Sequence, residues 1–158
     1  MIDEYDTKNN SILEKIYQML IDNLLIIYPN KKRDEFDNKE SHNKFINSLK
    51  KEDNYKIITY TINEETVAFL SYNIIENNLW ISEVQVKNDF KRKGILKKLL
   101  RYFSKNKLLS NYNEIYIHIN SNNKISQKVF THIGFKLKEN TIYTISSKDL
   151  IIYSQKND

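Results

Sequence analysis

The segment Val86-Lys87-Asn88-Asp89-Phe90-Lys91-Arg92-Lys93-Gly94-Ile95-Leu96-Lys97-Lys98-Leu99-Leu100 carries the chain from a β-branched run into an amphipathic helix, through a basic turn that holds one of only two glycines in 158 residues. Downstream of the glycine, Leu96, Leu99, Leu100 and Phe103 recur at i, i+3, i+4 and i+7. Lys97, Lys98, Arg101 and Lys105 fill the other positions, which predicts a helix over 94–107. A turn that opens into a helix N-terminus presents unpaired N–H groups and the positive end of the macrodipole, a favourable place for phosphate oxygens. Glycine lets a ligand approach the main chain, and Lys91, Arg92 and Lys93 add the charge that would neutralise a diphosphate. Taken alone, the segment is equally well explained as a charged loop with an ordinary glycine turn.

The flanking sequence gives this turn its setting. Ile12, Ile16, Tyr17, Met19, Leu20, Leu24 and Ile27 predict a helix over 9–28, closed by Pro29. A charged connector over 30–38 leads to a second helix over 40–51, with Phe45, Ile46 and Leu49 on one face. Runs rich in β-branched and aromatic residues over 55–62, 66–75 and 79–87 predict three antiparallel strands. They are separated by Asn63-Glu64-Glu65 and Glu76-Asn77-Asn78. Beyond the basic turn and its helix, Ile115, Ile117 and Ile119 alternate in a strand over 114–120. Ile125, Val129, Phe130 and Ile133 mark a helix over 123–133, for which Gly134 is a left-handed C-cap. Two closing strands are predicted over 135–145 and 149–154. The expected order is ααβββαβαββ, a mixed α/β sheet within a single domain over 1–158.

Composition removes several classes of function. With 40% hydrophobic and 28% charged residues the chain should fold, and without cysteine it has no disulfide framework, thiolate metal site or cysteine nucleophile. His42, His118 and His132 lie in separate segments without ligand spacing, so no metal is expected. The longest apolar stretch, 19–28, is interrupted by Asp22-Asn23 and too short to span a bilayer, which predicts a cytoplasmic protein with no membrane partner. The net charge of +5 is spread along the chain. In the absence of a reading motif or an aromatic stacking platform, nucleic acid is not an expected partner.

Strand, basic turn, helix and strand, followed by helix, glycine, phenylalanine and strand, is far more specific than either half. Over about 54–156 the sequence resembles the GNAT superfamily of N-acetyltransferases, and the two N-terminal helices match that family's usual start. The family's pyrophosphate motif, Arg/Gln-x-x-Gly-x-Gly/Ala, falls on Lys91-Arg92-Lys93-Gly94-Ile95-Leu96, with an apolar Val86 eight residues before the glycine. A second signature falls on Asn123 through Phe130 to Gly134-Phe135 with the family spacing. Three identities depart from it. Lys91 keeps charge without planar bidentate geometry, Leu96 replaces a small residue and must turn away from the diphosphate, and Phe130 lacks the phenol with which the family commonly protonates the departing thiolate.

The resemblance implies a mostly antiparallel twisted sheet of six to seven strands flanked by four helices. It also implies direct transfer of acetyl from acetyl-CoA to a primary amine of a small molecule or peptide. Its cofactor-binding positions map onto Gln85, Val86, Lys91, Arg92, Lys93, Gly94, Ile95, Leu96, Asn123 and Phe130. Near Val86 the family splays its central strands, and a main-chain N–H there polarises the thioester carbonyl. Glu83, in Trp80-Ile81-Ser82-Glu83-Val84-Gln85-Val86, is the candidate base that takes the amine proton. Its facing depends on register, since a slip of one residue reverses it. Tyr143 or water would stand in for the missing phenol. The alternative is an acyl-CoA-binding regulatory module of the same fold, and homodimers through edge strands are common among similar proteins.

Overall fold

The computed structural model describes residues 1–51 and 54–157. A seven-stranded sheet runs β1-β2-β3-β4-β5-β7-β6, built from β1 (Ile2–Asp6), β2 (Lys56–Ile62), β3 (Glu65–Ile75), β4 (Asn78–Val86), β5 (Glu114–His118), β6 (Lys136–Glu139) and β7 (Ile142–Ser146). Every neighbouring pair is antiparallel except β4–β5. Both connections of the β2–β3–β4 meander are two-residue turns with positive φ at each position, Asn63 (47°) with Glu64 (66°) and Glu76 (50°) with Asn77 (64°). That backbone twist matches the twist of paired strands and fixes their register.

Among the described residues six helices flank the sheet: α1 (Asn10–Ile27), α2 (Arg33–Phe36), α3 (Lys39–Lys50), α4 (Ile95–Ser104), α5 (Lys124–Ile133) and α6 (Ser147–Gln155). On one face, Ile12, Leu13, Ile16 and Met19 of α1 and Leu49 of α3 pack with Ile57 and Phe69. On the other, Ile95, Leu99, Leu100 and Phe103 of α4, Phe130 and Ile133 of α5 and Leu150 of α6 bury Leu70, Leu79, Ile81, Ile115, Ile117 and Ile145. Among the described residues no helix is long and apolar enough to cross a membrane.

The predicted order holds through the centre and changes at both ends. The run over 135–145 is a hairpin, broken where Asn140 takes φ 50°, and the predicted strand over 149–154 is the helix α6. Ser146 caps α6 by accepting from the Asp149 N–H at 3.0 Å, and Leu150 and Ser154, one helical turn apart, are buried. Arg101 Nε donates to the Ser154 carbonyl at 2.8 Å and ties α6 to α4. The acidic N-terminus forms β1, held by Tyr72 Oη donating to Glu4 Oε1 at 2.7 Å, and the connector contains α2. The observed order is therefore βαααβββαβαββα, with six helices in place of four.

Candidate active site

The geometry that matters begins with an irregularity in β4. Tyr72 lies opposite Ile81 and Ser71 opposite Glu83, so Ser82 is an extra residue, a β-bulge. Before the bulge, Leu79 and Ile81 face the α4 core. After it, Val84 and Val86 take over that face, and Glu83 and Gln85, opposite Ser71 and Phe69, point to the α1 side. Facing, which the sequence left open, is settled by this single inserted residue.

The parallel seam between β4 and β5 is equally local. It pairs Leu79, Trp80 and Ile81 with Ile115, Tyr116 and Ile117 and goes no further. Beyond the bulge, β4 keeps β3 on one side and loses β5 on the other. Lys87 N–H donates to the Val67 carbonyl at 2.8 Å, so in the alternating ladder Gln85 and Glu83 direct their main-chain groups toward β3. Val84 and Val86 therefore direct theirs into the opening between β4 and β5. The Val86 carbonyl accepts from Asn23 Nδ2 at 3.3 Å, and the N–H groups of Val84 and Val86 face the same opening.

At the end of β4 a 3₁₀ turn over Asn88–Phe90 leads into the basic loop. Arg92 (φ 63°) and Gly94 (φ 76°) are both left-handed, and α4 starts at Ile95 without a side-chain cap. Its first N–H groups are consequently free to bind an anion. Lys91, Arg92, Lys93 and Gly94 are exposed, and among the described residues Lys91 and Arg92 form no ion pair. Lys93 Nζ lies 5.4 Å from the Phe90 ring centroid. Ile95 is buried, and Leu96 is partly buried against the core. An open groove of about 430 Å³ runs from Gly94 and Leu96 to Lys128, Val129 and His132 of α5.

The second signature takes mostly structural roles. Asn123 caps α5 by accepting from the Ser126 N–H at 3.1 Å. Phe130 is buried edge-to-face against Phe135, with centroids 5.5 Å apart. Gly134 (φ 124°) closes the helix by donating to the Phe130 and Thr131 carbonyls. Tyr143 lies opposite Ile117, where the parallel seam ends, and packs on the core side. Gln85, a position expected to contact the cofactor, has its side chain on the α1 side, where Nε2 donates to Glu83 Oε1 at 2.6 Å. Burial pushes the Glu83 carboxyl above the usual carboxylate range, and the Gln85 hydrogen bond partly opposes this. Asn23, the partner of Gln85, was not singled out in the sequence. A lone asparagine within an apolar helical stripe was the available signal.

An opened parallel seam, a bulged strand and an uncapped basic helix start form a recognisable set, and comparison with known proteins agrees. Over 60 residues, 38% of this chain, the sequence is 30% identical to GCN5-related N-acetyltransferase 6, chloroplastic, of Arabidopsis thaliana, and the match spans 21% of that relative's length. The PaiA N-acetyltransferase of Thermoplasma acidophilum, solved in complex with coenzyme A, superimposes with a TM-score of 0.64 at 16% identity, covering 92% of this chain and 98% of that one. An acetyltransferase from Thermus thermophilus gives a TM-score of 0.70 at 14% identity, covering 92% and 97%. At such identities these two likenesses carry the fold. The model of the acetyltransferase (GNAT) family matches residues 13–135, most of the chain and every element of the site, and the chain therefore belongs to that family.

Proposed function

We propose that the protein is an acetyl-CoA-dependent N-acetyltransferase that acts on a primary amine of a small molecule or peptide in a ternary complex. The observation that carries this reading is the opening of the β4–β5 seam after Ile81 and Ile117, on a strand that carries the half-buried Glu83 carboxyl and leads into an uncapped basic helix start. When bound, acetyl-CoA supplies an activated acetyl carbonyl and a thiolate leaving group whose ordinary pKa of ~8.5 lets it depart with little help. The main-chain N–H groups of residues 92–96 and the charges of Lys91 and Arg92 hold the diphosphate. The Val86 N–H, with that of Val84 beside it, donates to the carbonyl oxygen and accepts its growing charge. An alkylammonium with an ordinary pKa of ~10.4 is protonated at neutral pH, so the acceptor must lose a proton before its nitrogen forms the new bond. Glu83 takes that proton, directly or through one water; burial has already raised its affinity for it.

A second reading, a coenzyme A-binding regulator with little turnover, is favoured by one observation, the buried Phe130 without a hydroxyl. Titration calorimetry with acetyl-CoA, followed by free-thiol release over a panel of polyamines, aminoglycosides, amino acids and peptide N-termini, separates the two. Binding with acceptor-dependent thiol release supports the transferase. Binding without release on any amine supports the regulator, and absence of binding rejects both.

A further inference from the structure

A chain of side-chain hydrogen bonds crosses from α1 to the bulged strand. Asn23, only 7% exposed, donates through Nδ2 to Gln85 Oε1 at 2.7 Å and to the Val86 carbonyl at 3.3 Å; Gln85 Nε2 then donates to Glu83 Oε1 at 2.6 Å. The direction of this chain is fixed from one end. A main-chain carbonyl only accepts, so Val86 requires the NH₂ end of the Asn23 amide. Asn23 Nδ2 in turn requires the oxygen of Gln85, which leaves Gln85 only N–H to offer the carboxyl. Along the side-chain path from Asn23 through Gln85, each step donates toward Glu83.

The rest of the Glu83 surroundings adds polarity without charge. Ser71 faces it across the ladder from β3, and Tyr55, which precedes β2, meets Ser71 Oγ at 3.3 Å. Burial pushes the Tyr55 phenol up, with the Glu83 charge adding to the same direction, so it stays neutral where Glu83 titrates. Glu83 Oε2 makes no hydrogen bond among the described residues. Since no buried side-chain oxygen among them lacks a partner, Oε2 is open to solvent.

We infer that Asn23 and Gln85 are positioning residues: they pin Oε1 of Glu83, aim Oε2 at the acceptor and set how tightly the carboxyl holds a proton. This rests on the reading of Glu83 as the base. A hydrogen bond to an ionised carboxylate favours the charged form, and removing it lets desolvation act unopposed. Packing alone would not select this constellation, because an apolar residue at position 23 or 85 would fill the space without ordering the carboxyl.

The test is a ¹³C NMR titration of the Glu83 carboxyl in the full chain, in the wild type and in Gln85→Met and Asn23→Asp. Methionine keeps length and removes the donor, so the Glu83 midpoint rises by about half a pH unit or more. Asn23→Asp replaces the donor by an acceptor, turns the Gln85 amide over and presents its oxygen to Glu83, which raises the midpoint further. In transfer assays with acetyl-CoA and an amine from the panel, the acid limb of kcat/KM moves with the midpoint. Midpoints unmoved in both variants, with native circular dichroism, overturn the inference. So does a raised acetyl-CoA KM with the midpoint unmoved in Gln85→Met, which would return Gln85 to the cofactor. Should the carboxyl signal move while the acid limb stays, the hydrogen-bond chain stands and Glu83 loses its role as base.

Discussion

Arg92→Gly separates charge from backbone at the proposed diphosphate site. Arg92 sits at φ 63°, where a side chain crowds its neighbouring carbonyl at a cost of about 1–2 kcal/mol, and glycine removes that strain. Glycine also loses more conformational freedom on folding, about 0.5–1 kcal/mol relative to alanine. The two effects largely cancel, so stability in urea should change by no more than about 1 kcal/mol. The charge is a different matter. Arg92 is exposed and without an ion pair among the described residues, so its guanidinium is available to a ligand. In a water-like dielectric a unit charge about 4 Å from another contributes about 1 kcal/mol, and a diphosphate offers at least two such partners. Loss of about 1–2 kcal/mol weakens coenzyme A binding about 5- to 30-fold. Calorimetry at low and high salt checks the assignment, because screening at about 0.5 M shortens the Debye length to a few ångströms and should close most of the gap between variant and wild type. Unchanged affinity at low salt refutes the placement of the diphosphate at this loop. A gap insensitive to salt refutes its electrostatic basis.

Glu83→Gln should lower kcat by about 10²–10⁴-fold, the usual contribution of a positioned base, with the acetyl-CoA KM little changed; a kcat within a few fold of wild type would remove Glu83 from the mechanism. The same substitution tests the burial of the carboxyl by thermal unfolding against pH. With the folded proton affinity above the unfolded one, unfolding releases a proton over the interval between them, so Glu83 lowers stability as pH rises through that interval and costs nothing below it. Glu83→Gln should therefore unfold at a higher temperature than wild type at about pH 8, with the difference vanishing toward about pH 4; a pH-independent difference would contradict the raised affinity. Gly134→Ala forces φ 124° on a residue with a Cβ, and that atom would lie 3.3 Å from Ile145 Cδ1. Backbone strain of this kind costs about 1–3 kcal/mol, and the loss should appear in urea denaturation.

What the sequence revealed, and what it concealed, follows from range. The α1 stripe, the two meander turns and the helix after Gly94 are local patterns, and all are where periodicity and turn chemistry place them. Leu150-Ile151-Ile152-Tyr153 satisfies a strand by composition, but the Ser146 cap and the contact of Ser154 with α4 make it helical; only the cap was visible locally. β1 was hidden because Asp3, Glu4 and Asp6 mask its alternation, and it is held by Tyr72, 68 residues away from Glu4. The basic loop and its turn at Gly94 were legible because they are contiguous in sequence. The direction of the Gln85 side chain was not legible because its partner, Asn23, is 62 residues distant.

The bulge at Ser82 shows why the catalytic reading needed structure. A regular β4 would alternate without interruption, and a strand whose Leu79 and Ile81 enter the α4 core would also bury Glu83 and Gln85 there. One extra residue reverses the phase. Val84 and Val86 then continue the apolar face, and Glu83 and Gln85 reach the polar side under α1. The same kink bends β4 away from β5, so the seam ends at Ile81 and main-chain donors that a continued sheet would consume are left free. A carboxyl on one face and open amides on one edge are thus consequences of a single insertion. The Asn23 contact to the Val86 carbonyl adds a tie from α1 to the same edge, engaging one of the two carbonyls that face the opening.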